Sequence, residues 1–221
     1  MNESIAGLYE ADYGIRPRVF RNISPKPAAF EVKSRVELGL PEDRKIAINQ
    51  GSGMNVDRGL EEAVEAIAGM SEEWMLLLVG SGDAIPNLKV EVVRRNLEDR
   101  VRFVDRLPYA QLLQYTAAAD VGLSLDKDTN INYRFSLPNK LFDYIQCQTP
   151  VVVSPLVEVG GIVETYGVGE LADPTDIEAL RTAIEKVGAS RESYSGQLKR
   201  AAAELNWERE SESLKAFYSQ L

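Results

Sequence analysis

"KIAINQGSGMNVDRGLEEAVEAIAGMSEEWMLLLVGSG", residues 45–82, decides the fold. Residues 45–51 make a compact apolar strand that closes on Gly51. Residues 57–70 carry apolar side chains at helical spacing, so a helix follows the strand. Residues 74–80 are continuously apolar, the pattern of a strand buried on both faces in a parallel sheet. Outward from this unit the alternation continues. Helices are predicted over 87–97, 109–119, 139–146 and 176–187, and strands over 101–104, 120–125, 151–155 and 168–171. Further helix runs from 190 to 219. Upstream, a short helix over 3–10 breaks at Gly14, "RVFRN" (18–22) is a short extended strand, and "SPKP" (24–27) is a linker. Strict alternation with short glycine-rich turns predicts an α/β fold: a Rossmann-like, doubly wound parallel sheet with helices on both faces. Its ligands sit beyond the carboxyl ends of the strands.

Composition narrows the function. The 221 residues suffice for one large α/β domain or two small ones, and 44% apolar content fits a packed globule. A net charge of −9 with a pI near 4.8 argues against a nucleic-acid partner, which needs a basic face. The chain has no histidine and one cysteine, Cys147, so Ser-His-Asp and Cys-His catalysis, His-ligated metals and an internal disulfide are all excluded. Cys147 reads as a buried small hydrophobe, and Trp74 and Trp207 as packing residues. No apolar run reaches the length of a membrane span, and the first residues lack the basic and apolar regions of a signal peptide. A cytoplasmic location is therefore expected.

Chemistry concentrates in "SLPNKLFDYIQCQTPVVVSP", residues 136–155. Pro138 suits a first helical turn, with Ser136 as the cap. The amides of Asn139 and Lys140 then face outward at the positive end of the helix dipole, and the Lys140 ammonium adds charge: a site for a phosphate. Asp143, one turn further, is placed to accept hydrogen bonds from ribose hydroxyls. Together these suggest a nucleotide; the competing reading is an ordinary capped helix whose lysine and aspartate face water. In "QGSGMNVDRG", Gly51 and Gly53 allow close backbone approach to a ligand and Arg58 stands at a helix start. This is neither G-x-G-x-x-G nor a Walker loop. Gly80, in "VGSG", marks a second turn at the same end of the sheet.

The order of "QGSG…RGLEEAVEA", "LLLVGSGD", "VRFVDRLPYAQLLQYTAAADVGLS", "SLPNKLFDY", "TPVVVS" and "NWERESESLKAFY" resembles the C-terminal half of the group 1 (family 4) glycosyltransferases, over roughly residues 40–221. The resemblance implies one half of a GT-B fold and a retaining transfer of sugar from a nucleotide-diphosphate donor that this half binds. The acceptor would be a glycan or lipid-linked glycan, as in polysaccharide biosynthesis, with no cofactor and no metal. Arg58 corresponds to the basic residue that contacts the diphosphate, and Pro138, Asn139 and Lys140 to the turn that meets it. Asp143 corresponds to the second acid of the E-x7-E pattern, which holds the ribose. Backbone at Phe103, Val104 and Asp105 would edge the base.

Two departures stand out. Phe135 occupies the position of the first acid, and Ser52 and Gly53 stand where an arginine is common. A third concerns length, for the acceptor-binding N-terminal half has no room here. Residues 1–44 are expected to be the remnant of that half plus a linker, 45–203 the nucleotide-sugar-binding domain, and 204–221 a C-terminal helix. A peripheral membrane association would belong to the full-length enzyme.

Other readings remain open. Asp126-Lys127-Asp128 has the form of the D-x-D metal site of a GT-A enzyme, although the order of elements does not fit that fold. A non-catalytic nucleotide-binding module would share the cleft but lack catalytic groups. A GT-B sugar-nucleotide epimerase would need acids and histidines that are missing.

Overall fold

The computed structural model describes residues 1–27 and 31–220. The elements run α1 (Glu3–Tyr13), β1 (Lys45–Gly51), α2 (Leu60–Gly69), β2 (Trp74–Gly80), α3 (Ile85–Arg94), β3 (Val101–Val104), α4 (Tyr109–Ala118), β4 (Val121–Ser124), α5 (Ile131–Arg134), α6 (Asn139–Gln146), β5 (Val151–Val153), α7 (Val157–Tyr166), β6 (Gly169–Leu171), α8 (Ile177–Ala189), a 3-10 turn (Arg191–Tyr194), α9 (Ser195–Glu204) and α10 (Trp207–Tyr218).

The six strands form one sheet in the order β3-β2-β1-β4-β5-β6, every pairing parallel. This is the doubly wound arrangement expected from the sequence, and its order reverses between β1 and β4, where the carboxyl ends of the strands open a crevice. The sheet is buried on both faces. Leu76 and Leu78 of β2 pack with Leu60, Val64 and Ile67 of α2, with Leu88 of α3 and with Ile184 of α8. On the other face Ile46, Ile48 and Leu77 meet Leu141, Phe142 and Ile145 of α6, Val159 and Val163 of α7 and Leu198 of α9. That two-sided burial is why the strands read as apolar runs rather than alternations.

Helix ends carry the expected chemistry. Asn2 caps α1 by accepting from the Ile5 amide, Asp176 caps α8 and Asn206 caps α10. Gly59 precedes α2 with φ +71°, and a Cβ there would lie 2.3 Å from the Leu125 carbonyl oxygen. Only glycine lets the Arg58 turn press against the end of β4.

Four expectations change. Ser136 does not cap α6; the helix begins at Asn139 with Pro138 at the cap position and no capping side chain. The Ser136 hydroxyl bonds Asp126 instead, at 3.2 Å. α7 went unforeseen because "VEVGGIVETY" holds two glycines and three valines. It forms because Val159 and Val163 bury against the sheet, tertiary packing outweighing weak propensity. Residues 18–22 form no strand. They run back over the domain, where the Arg21 guanidinium pairs with Glu210 at 3.1 Å, Ile23 enters the core and the Ser24 carbonyl accepts from the Trp207 amide. Trp74 is core, as expected, but Trp207 is 38% exposed at the start of α10. No helix of the described residues is long and apolar enough to cross a membrane.

Candidate functional site

Two adjoining clefts lie over the β1/β4 switch point. One, of about 320 Å³, is lined by Asn49, the 50–54 loop, Arg58 and Pro138, Asn139 and Lys140. The other, of about 420 Å³, shares Gln50, Gly51, Ser52, Asn139 and Lys140 and extends to Gly80, Arg106, Leu107, Tyr109 and Asp143. These are the dimensions of a small-molecule site.

The local folding that shapes the clefts is traceable. β1 and β2 end together at Gly51 and Gly80, and the Ser81 amide donates to the Gly51 carbonyl at 3.1 Å. A Cβ on Gly80, whose φ is +140°, would fall 1.8 Å from that oxygen. Gly80 therefore serves this close approach of two strand ends. Gly53 has open space where a Cβ would stand. The 51–54 loop is thus tied to the turn after β2 and lines the cleft.

The helix start of α6 faces the loop. Lys140 Nζ donates to Asn49 Oδ1 at 3.0 Å, and burial lowers its pKa, opposed by the nearby charge of Asp126 and reinforced by Arg58. Lys140 is therefore not a lysine reaching into water. Arg58 is also committed: its Nη1 donates to Asp126 Oδ2 at 2.7 Å, and its guanidinium lies 4.4 Å from the Tyr133 ring centroid. The sequence reading assigned Arg58 to a diphosphate; here its charge is balanced by a carboxylate whose side chain is 3% exposed.

Asp143 lines the larger cleft. It is buried, and its carboxylate accepts from Ser24 Oγ (2.7 Å), Tyr109 Oη (2.8 Å) and Gln50 Nε2 (3.2 Å). Gln50 is held in turn, its Oε1 accepting from Thr116 Oγ1 at 2.6 Å. Burial raises the Asp143 pKa and the three hydrogen bonds oppose the rise. Oδ1 carries two of these bonds and Oδ2 one, so Oδ2 retains a lone pair.

The structure thus gathers Gly51, Gly53, Arg58, Gly80, Pro138, Asn139, Lys140 and Asp143 around the paired clefts. Val104 and Asp105 do not line them. Val104 packs on the α6 side of the core and Asp105 is exposed, and Arg106 and Leu107 take the rim instead. The Asp126-Lys127-Asp128 triplet is divided among separate ion pairs: Asp126 with Arg58, Lys127 with Glu62, Asp128 with Arg134. Cys147 is buried, and burial pushes its thiol pKa to about 12.

Sequence reasoning missed Asn49, Gln50, Ser24 and Tyr109. For the first two a signal existed. Two amides close an otherwise apolar strand at its carboxyl end, where burial is costly unless the side chains are bonded. Ser24 and Tyr109 gave none, because their partner is distant in sequence.

Residues 47–189 match the family model described as "Glycosyl transferases group 1". The chain belongs to the group 1 glycosyltransferases. Its fold is one Rossmann-like half of the two-part GT-B architecture. Sucrose-phosphate synthase from Thermosynechococcus elongatus superposes with a TM-score of 0.78 at 25% identity, over 97% of this chain and 55% of that one. HepE from Anabaena, solved in complex with UDP, gives 0.72 at 19% identity over 85% and 51%. WaaG, a glycosyltransferase involved in lipopolysaccharide biosynthesis, gives 0.62 at 17% over 76% and 45%. The chain thus spans about half the length of these solved relatives. No curated protein matches it by sequence.

Proposed function

We propose that this chain is the donor-binding half of a retaining glycosyltransferase and that a nucleotide-diphosphate sugar occupies the paired clefts. One observation carries the reading. A pole of hydrogen-bond donors, made by Lys140 and the uncapped start of α6, and a buried carboxylate, Asp143, share one crevice at the switch point of the sheet. The diphosphate sits at the donor pole, its charge met by Lys140 and the helix terminus without a metal ion. The ribose lies toward the free lone pair of Asp143. The base extends along Arg106, Leu107 and Leu112. HepE, which shares this fold, was solved with UDP and with UDP-glucose, which makes uridine donors the first to try.

In this reading the acceptor, a glycan or lipid-linked glycan, is bound by a second half of the kind that completes the solved relatives, and the activity belongs to cytoplasmic polysaccharide biosynthesis. The 221-residue chain alone then binds donor and transfers no sugar; measurable transfer by it would overturn that division of labour. A panel of UDP-, GDP- and ADP-sugars tests the binding. A ligand at a hundred times its dissociation constant stabilises the fold by about 2.7 kcal/mol, read as a raised thermal midpoint. No shift with any of the three refutes the proposal. The rival reading, a non-catalytic nucleotide-binding module, draws on Phe135 at the position where the family pattern has its first acid. Hydrolysis or transfer of the bound donor by a complete two-half protein, against binding without turnover, separates the two.

A further inference from the structure

We propose that Asn49 is a further donor-binding residue: it anchors the Lys140 ammonium without neutralising it and reserves its own amide N–H for a phosphoryl oxygen in the cleft. The inference rests on the donor-binding reading and deepens it by assigning a residue that neither the sequence motifs nor the resemblance singled out.

The argument begins with hydrogen-bond capacity. A lysine ammonium only donates, so the atom of Asn49 that meets Lys140 Nζ at 3.0 Å must be the carbonyl oxygen. That fixes the orientation of the amide and leaves Nδ2 pointing elsewhere. Asn49 is 1% exposed and lines the smaller cleft, and its Nδ2 has no partner among the described residues. A buried donor left unbonded is costly, and proteins keep few of them. It belongs to the same amide that meets the Lys140 ammonium, and the cleft that Asn49 lines also takes in Asn139 and Lys140 at the start of α6, where no side chain caps the helix. The Asn49 amide, the Lys140 ammonium and a helix start thus border one cavity, a setting that an oxyanion suits.

The choice of an amide rather than an acid has a consequence. The groups facing Lys140 are Asn49 from the end of β1, Asp126 beyond β4 and Arg58 before α2. Asp126 is already paired with Arg58 at 2.7 Å, so those two charges cancel at close range. Lys140 forms no salt bridge among the described residues, so an incoming diphosphate would supply the counter-charge that favours its ammonium form against the effect of burial. A carboxylate at position 49 would hold the ammonium in the same place but cancel its charge and repel a diphosphate.

The test is calorimetric titration of the full chain with inorganic pyrophosphate, and with the donor nucleotide sugars in parallel, at two pH values. Asn49→Ala should weaken pyrophosphate by about tenfold, the worth of one charge-assisted bond. Asn49→Asp should weaken it by about a hundredfold, and part of that loss should return as pH falls toward the carboxylate range, a recovery that Asn49→Ala does not show. Equal affinity of wild type and Asn49→Ala would overturn the proposal. So would Asn49→Asp losing no more than Asn49→Ala. If Asn49→Asp does not fold, the alanine variant alone decides. Wild type binding nucleotide sugars with no response to Asn49 variants sinks this inference and leaves the donor-binding reading standing. Wild type binding neither pyrophosphate nor nucleotide sugars sinks both.

Discussion

Replacing Arg58 by alanine should destabilise the fold before it says anything about ligands. The Arg58 guanidinium makes a 2.7 Å ion pair with Asp126, whose side chain is 3% exposed while that of Arg58 is 25% exposed. Asp126 Oδ1 has no partner among the described residues, and Oδ2 keeps only the Ser136 hydroxyl at 3.2 Å once Arg58 is gone. Breaking one side of a buried pair costs about 3–5 kcal/mol because it leaves a charge buried alone. Arg58 is partly hydrated and Ser136 remains, so the cost falls to the bottom of that range or just below it, about 2–3 kcal/mol. With a urea m-value of about 2.5 kcal/mol/M, the unfolding midpoint falls by about 1 M. Removing the charge as well should recover most of that loss, so Arg58→Ala/Asp126→Asn should be more stable than Arg58→Ala alone. Urea melts of the two single variants and the double variant close the cycle. An Arg58→Ala midpoint equal to wild type, with pyrophosphate affinity reduced, would refute the reasoning: the guanidinium would then be spent on the ligand and not on Asp126.

Asp143→Leu should strand the donors of Gln50 and Ser24 and lower stability by about 2–4 kcal/mol, while Asp143→Asn, which keeps one acceptor, should cost about 1 kcal/mol. Because burial raises the folded-state pKa of Asp143, its carboxyl favours folding most in acid and loses that contribution as pH rises through the raised value, so the deficit of Asp143→Asn should shrink from pH 4 upward in urea melts. Gly59→Ala places a Cβ 2.3 Å from Leu125 at φ +71° and should lower the thermal midpoint by several degrees; a neutral result would mean that the turn before α2 can move. Cys147, with its thiol pushed up to about 12, should resist iodoacetamide in the native chain at pH 8 and react in denaturant.

The sheet was legible because its strands are buried on both faces, so "KIAINQG" and "WMLLLVG" need no alternation to declare themselves. The position of the cleft followed from the topology alone. What escaped was settled by contacts distant in sequence. α7 takes its helical form from the sheet beneath Val159 and Val163, against the local weight of Gly160 and Gly161. Asp143 read as a solvent-side ligand because nothing near it in the chain announces Ser24, Tyr109 and Gln50, which come from 119, 34 and 93 residues away. Lys140 and Arg58 line the cleft, yet their partners Asn49 and Asp126 lie across the switch point. Composition marks the donors of such a site; the fold decides how much of their charge is left to use.

The central claim is that a nucleotide-diphosphate sugar lies between the 51–54 loop and the start of α6. Amide NMR spectra of the isotopically labelled chain, recorded while the best ligand of the UDP-, GDP- and ADP-sugar panel is titrated in, test it residue by residue. The account predicts that the largest shifts fall on Gly51, Ser52, Gly53, Asn139 and Lys140 and on the side-chain amide of Asn49, with smaller ones at Asp143 and Leu107. Saturable shifts confined to another part of the sheet, or none with any of the three donors, would contradict it.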